Sequence, residues 1–147
     1  MILKTLVIVA AVFLSGCTNF NYGELFKEPE PSEDKATLVF YREGVVANQV
    51  PLDIAIDGVT VVTMNPKGYK TVRVAPGEYT FNSSTKMVDL RNKYKVDSGR
   101  TYYMRMYCYS IPLAYSLCKV EAVNRLQAEH RLRVVRESLD PPVHPSN

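Results

Sequence analysis

Six groups of residues in this chain carry chemistry worth testing, and each has a plainer reading beside it. Ser83-Ser84-Thr85-Lys86 has the Ser-x-x-Lys spacing that sets a nucleophilic serine one helical turn from a lysine. Here the tetrapeptide falls where a β-turn is expected. The Ser-Asp-Asn and Lys-Thr-Gly motifs that accompany it elsewhere are missing, so a polar hairpin loop is the simpler reading. Asp53 and Asp57 are the nearest spaced carboxylates, but four residues along a strand separate them by about 13 Å, too far for a glycosidase acid pair. Asp57 is better explained as a turn residue. His130 and His144 lie on a charged helix and in a proline-rich tail with no third ligand at metal spacing, so no metal site and no cofactor are expected. The chain is therefore read as non-enzymatic.

Cys108 and Cys118 are the last two of three cysteines. In an exported protein such a pair is read as a disulfide, closing a loop of about ten residues and contributing roughly 2–3 kcal/mol. Two buried free thiols, or a metal pair that only His130 and His144 could assist, are the alternatives. Around the pair, Tyr102, Tyr103, Tyr107, Tyr109 and Tyr115 make the chain aromatic. Alternation places Tyr103, Arg105, Tyr107 and Tyr109 on one face and Tyr102, Met104, Met106 and Cys108 on the other, core-facing one. The first face reads either as an exposed binding strip or as a strand covered by a helix. Arg125, Arg131, Arg133 and Arg136 add a basic side to the late helix, suited to anionic headgroups or to peptidoglycan carboxylates, or simply solvated.

The elements that position these residues begin with an export signal. One lysine, Lys4, precedes an apolar run from Leu6 to Leu14. The run is too short to cross a bilayer, which takes roughly 20 residues. Leu14-Ser15-Gly16-Cys17 then resembles the lipobox of bacterial lipoproteins. That resemblance implies cleavage after residue 16, lipidation of Cys17 by the diacyl or palmitoylated triacyl anchor of that class, and, with Thr18 rather than aspartate next, an outer-membrane address. The formal charge of +3, one unit of it from Lys4, gives no reason to invoke nucleic acid.

Residues 17–35 are polar and hold Pro29 and Pro31, and are expected to form a flexible tether reaching at most about 60 Å. The sequence predicts strands over 36–42, 50–56, 59–64, 69–74, 78–82, 86–96 and 100–109. Asp57-Gly58 marks a tight hairpin, Pro76-Gly77 a type II turn, and Asn65-Pro66-Lys67-Gly68 and Asp97-Ser98-Gly99 further turns. Ala128, Leu132, Val135 and Leu139 fall at helical spacing. The expected fold is mainly β: a small antiparallel β-sandwich of seven or eight strands with one late amphipathic α-helix, spanning 36–139, with a loose tail over 140–147.

Ala36-Thr37-Leu38-Val39-Phe40-Tyr41-Arg42, Ile56-Asp57-Gly58, Gly68-Tyr69, Val74-Ala75-Pro76-Gly77-Glu78-Tyr79 and Gly99-Arg100-Thr101-Tyr102-Tyr103 resemble a family of bacterial lipoproteins known only as domain of unknown function 2846. The resemblance runs over roughly 36–125 and implies a β module without catalytic residues. The expected function is a membrane-anchored, non-catalytic binding module docking onto another envelope protein or peptidoglycan, with Tyr103, Arg105, Tyr107, Tyr109, Tyr115, Arg125, Arg133 and Arg136 as contact residues. A lipoprotein subunit of a secretion or motility machine is the alternative, and a cell-wall enzyme the third reading.

Overall fold

The computed structural model describes residues 20–43, 50–83, 92–110 and 116–139. Among them are ten strands and one helix in the order β1 (Tyr22–Leu25), β2 (Ala36–Arg42), β3 (Leu52–Ile56), β4 (Val59–Met64), β5 (Gly68–Val74), β6 (Gly77–Ser83), β7 (Asn92–Val96), β8 (Thr101–Ser110), β9 (Ser116–Val123), α1 (Arg125–Leu132) and β10 (Arg136–Ser138). They form a six-stranded sheet, β1-β10-β5-β2-β8-β9, and a four-stranded sheet, β4-β3-β6-β7. A mainly β, sandwich-like fold with one late helix is what the strand and helix patterns predicted.

The chain alternates between the sheets. β2 lies in the larger one, the β3–β4 hairpin in the smaller, β5 returns beside β2, β6 and β7 cross again, and β8 returns on the other side of β2. That last return makes β2 and β8 parallel, with Leu38 opposite Tyr102, and β10 also runs parallel to β5. Two pairings therefore depart from the all-antiparallel expectation. Parallel neighbours need a long crossover, and the intervening strands of the second sheet provide it.

Between the sheets lies a core of Leu38, Phe40, Ile54, Met64, Phe81 and Met104 with their neighbours. Phe40 and Phe81 meet edge to face at 5.6 Å between ring centroids. A second core occupies the outer face of the larger sheet, where Val39, Tyr41, Tyr69 and Tyr103 are covered by Ala128 and Leu132 of α1 and by Val135, with Phe26 packed against them. α1 begins at a reciprocal cap. The Asn124 side chain accepts from Gln127 N at 2.9 Å and the Gln127 side chain accepts from Asn124 N at 3.3 Å.

Three local expectations are corrected. The described part of the segment read as a tether, from Phe20 to Lys35, is docked on the domain. β1 pairs with β10, Phe26 N donates to Val135 O at 3.2 Å, and Gly99 N reaches Ser32 O and Lys35 O, each at 3.1 Å. Backbone pairing and the half-buried Phe26 ring hold a stretch whose own composition is too polar to pack. The helix ends at Leu132, and the apolar residues at helical spacing beyond it serve other elements: Val135 enters the second core while Arg136 belongs to β10. Finally, Gly77 opens β6 without a positive φ, so Pro76-Gly77 is not a type II turn. Asp57 (φ 48°) and Gly58 (φ 82°) do form the primed hairpin turn expected of them.

A tight polar contact joins β10 and the residue before β1 to the turn between β4 and β5. Gly68 on β5 faces Ser138 on β10. A Cβ at Gly68 would sit inside the van der Waals radius of Ser138 Oγ and 2.9 Å from Asn65 O. Ser138 is buried and its hydroxyl accepts from Asn65 N at 3.0 Å, while Asn65 Nδ2 donates to Asn21 O at 2.9 Å. Cys108 and Cys118 are joined by a disulfide between directly opposed positions of β8 and β9.

Gly68→Ala is expected to lower stability by about 2 kcal/mol through overpacking, and adding Ser138→Gly should return part of the loss; urea midpoints of the three variants measure it. Replacing both Cys108 and Cys118 by Ala is expected to lower stability by about 2–3 kcal/mol, read as a lower midpoint that reductant no longer changes.

Candidate functional site

The second core leaves a cleft of about 420 Å³ at one end, where the docked N-terminal segment meets the start of β8 and the start of α1. Its walls are Pro29, Pro31, Tyr102 and Tyr103, with Asn124 and Arg125 at the rim. β8 places the Tyr103 ring beneath α1, 5 % exposed, and its hydroxyl donates to the Glu28 carboxylate. Burial, then that bond to a carboxylate, push the Tyr103 phenol up to about 12. It is a protonated donor at any physiological pH, fixed in place. Arg125, at the first position of α1, stands 3.9 Å from Glu28 with most of its side chain in solvent. The two prolines and the half-buried Tyr102 beside an exposed guanidinium make a surface able to stack and hydrogen-bond, with the buried Tyr103 as its floor. Among the described residues no three His, Cys, Asp or Glu gather at metal-binding distance.

Next to the cleft, the outer face of β8 carries an ionic network. Arg105 pairs with the directly opposed Glu121 on β9 and stands 3.7 Å from Glu43, which Arg131 of α1 approaches at 3.4 Å. Its guanidinium also lies 5.0 Å above the Tyr107 ring. Tyr41 lies fully buried in the second core, and its hydroxyl has no hydrogen-bond partner among the described residues. Burial pushes it up to about 12 as well.

The residues expected to contact a partner thus separate. Tyr103 is covered by the helix and bonded to Glu28, so it is not part of an exposed strip. Arg105 and Tyr107 are half-buried and Arg105 is engaged within the domain. Arg125 and Arg133 are exposed, Arg133 pairing with Glu129 at 3.0 Å, an ordinary surface pair of small energetic weight. Arg136 is exposed on β10 rather than on the helix. The side chains of Tyr109 and Tyr115, like Cys17 and His144, lie outside the described residues. Met104, Met106 and Cys108 are in the inter-sheet core with Tyr102 beside them, as alternation required. Ser83 donates to Cys118 O at 3.2 Å, and 84–86 lie outside the described residues. Asp53 accepts from Thr63 at 2.7 Å, Asp57 caps Thr80 N at 2.8 Å, and His130 is exposed.

Sequence reasoning missed Glu28 and Asn124. The Asn-x-x-Gln cap at Asn124 was a usable local signal. Glu28 had none, because its role depends on the N-terminal segment lying against β8.

Stability should fall above about pH 10. An unfolded chain releases tyrosine protons near 10, whereas Tyr41 and Tyr103 in the folded chain hold theirs to about 12. The unfolded state then binds fewer protons, so stability is full below about pH 10 and declines as pH rises towards 12. Tyr41→Phe with Tyr103→Phe is expected to remove about 2 kcal/mol of that decline per residue, measured as urea midpoints against pH. Tyr41→Phe alone should leave stability at pH 7 unchanged or slightly higher, since it deletes an unsatisfied buried hydroxyl.

No curated protein matches the chain. A family model described as a protein of unknown function (DUF2846) matches residues 32–116. That span takes in β2 to β8, the scaffold of both sheets, and includes Tyr102 and Tyr103. β1, Glu28, Arg125, the rest of α1 and β10, which complete the second core and one side of the cleft, lie outside it. With more than half of its length covered by that model, the chain belongs to the DUF2846 family of proteins of unknown function.

Proposed function

We propose that this chain is an exported lipoprotein, anchored in the outer membrane through acylated Cys17, whose domain is a non-catalytic module that docks onto another envelope component in the periplasm. The observation that carries this reading is the order of the first residues: Lys4, the apolar run from Leu6 to Leu14, and Leu14-Ser15-Gly16-Cys17 followed by Thr18. The Cys108–Cys118 disulfide supports it, since such bonds persist in oxidising compartments. The docking surface is the cleft beside Arg125, where prolines, the half-buried Tyr102 ring and an exposed cation offer recognition without a nucleophile.

Intact-mass analysis and membrane fractionation of the wild type beside Cys17→Ser test the anchor. Acyl mass on the wild type and release of the variant from membranes are expected; a soluble, unacylated wild type would sink the reading. For docking, a photo-crosslinker in place of Leu126, which is 80 % exposed beside Arg125, should capture one envelope component in living cells. Arg125→Glu should cut that capture about tenfold, the effect of roughly 1.4 kcal/mol. Capture unaffected by Arg125→Glu, or no capture at all, counts against the cleft.

A further inference from the structure

Lipidation at Cys17 also determines which side of the domain meets the membrane, an inference that rests on the lipoprotein reading above. β1 starts at Tyr22, five residues after Cys17. At no more than about 3.6 Å per residue, those five span at most about 18 Å. Tyr22 is built into the domain: it pairs with Ser138 and its hydroxyl donates to Pro66 O. Just before it, Asn21 O accepts from Asn65 Nδ2 at 2.9 Å and from Leu139 N at 3.2 Å. The edge formed by β1 and β10 is thus held close to the lipid, with no long leash to let the domain turn away.

The same edge is dressed for that contact. Of seven large apolar side chains exposed among the described residues, Leu25 (52 %), Val134 (71 %) and Leu139 (40 %) lie along it. Leu25 and Val134 flank the bond from Phe26 N to Val135 O, and Leu139 is tied to Asn21. Lys67 and Arg136 line an open hollow of about 360 Å³ with Tyr22 and Val134. Neither cation has an ion-pair partner among the described residues, so both are free to meet an anionic group. Glu24 is paired with Lys27, and Glu137, the remaining carboxylate of the edge, is half-buried over Gly23. Aliphatic side chains interleaved with a tyrosine and unpaired cations are the composition of a surface that beds into anionic headgroups.

We infer that the β1–β10 edge, through Leu25, Val134, Leu139, Lys67 and Arg136, docks onto an anionic lipid surface and seats the domain edge-down on its membrane. The β3–β4 turn beside Val59 then points away, because β4 carries the chain about 17 Å from Met64, next to this edge, to Val59.

The chain contains no tryptophan, so one introduced indole reports depth. Full-length acylated protein carrying Val134→Trp or Val59→Trp is reconstituted in vesicles of phosphatidylethanolamine and phosphatidylglycerol with bromine on the upper acyl chains. Quenching several-fold stronger for Val134→Trp than for Val59→Trp is expected. Adding Lys67→Glu and Arg136→Glu should reduce it at least twofold. Equal quenching at the two positions, or none at either, in protein whose Cys17 acylation is confirmed by mass overturns the edge-down docking while leaving the lipoprotein reading intact. Absence of the acyl mass overturns both.

Discussion

Every residue of β2, from Ala36 to Arg42, is buried, and the rest of the domain is arranged around the need to cover both of its faces. Alternation sends Ala36, Leu38 and Phe40 into the core between the sheets and Val39 and Tyr41 into the core beneath α1. Two packed sheets cover only one of those faces. Leaving a Val and a Tyr in water on the other would forgo roughly 1.5–3 kcal/mol for each large side chain, so the outer face requires a lid. α1, Val135 and Phe26 supply it, from segments on either side of the main run of strands.

That requirement explains why the first and last described strands, β1 and β10, depend on each other. β1 and β10 are short and polar, and neither would form alone. β10 is held by its parallel pairing to β5 and by the close approach of Ser138 to Gly68, and β1 is held by β10. Buried Arg42 belongs to the same end of the sandwich. Its guanidinium, lowered to about 10 by burial, donates to Val50 O at 2.6 Å and Met64 O at 3.3 Å. It stays charged at neutral pH and satisfies the carbonyls of Val50, just before β3, and of Met64, the last residue of β4.

The lid also divides the surface into working and structural parts. On the outer face of β8, Tyr103 is sealed under the helix while Arg105 is occupied by Glu121, Glu43 and the Tyr107 ring. What stays open is the seam between lid and sheet, where Glu28 and Arg125 face the tyrosines, and the β1–β10 edge, where Lys67 and Arg136 stand with exposed aliphatic neighbours. Both are made jointly by the strands within the family match and by flanking segments outside it.

Much of this was legible in the residues alone, wherever a local rule was sufficient. Runs rich in β-branched and aromatic residues, bounded by turn signals, located β2 to β8, and period-two alternation assigned Met104, Met106 and Cys108 to the core. Asp57-Gly58 set a hairpin because its backbone needs two consecutive positive φ angles, and two cysteines ten positions apart met as opposed residues of a hairpin. β9 carries the same alternation, with Cys118 and Val120 buried and Lys119 and Glu121 more exposed, a pattern readable but overlooked. The tertiary structure alone decided the rest. Tyr-Gly-Glu-Leu and Arg-Glu-Ser have no intrinsic strand preference and pair only because a partner edge is presented to them. Val135 satisfies a helical period with Ala128 and Leu132 yet lies beyond the helix, since burial constrains where a side chain ends up and not which backbone carries it there. Glu28 and Tyr103, seventy-five residues apart, meet only once the lid closes, and no spacing rule reaches across that distance.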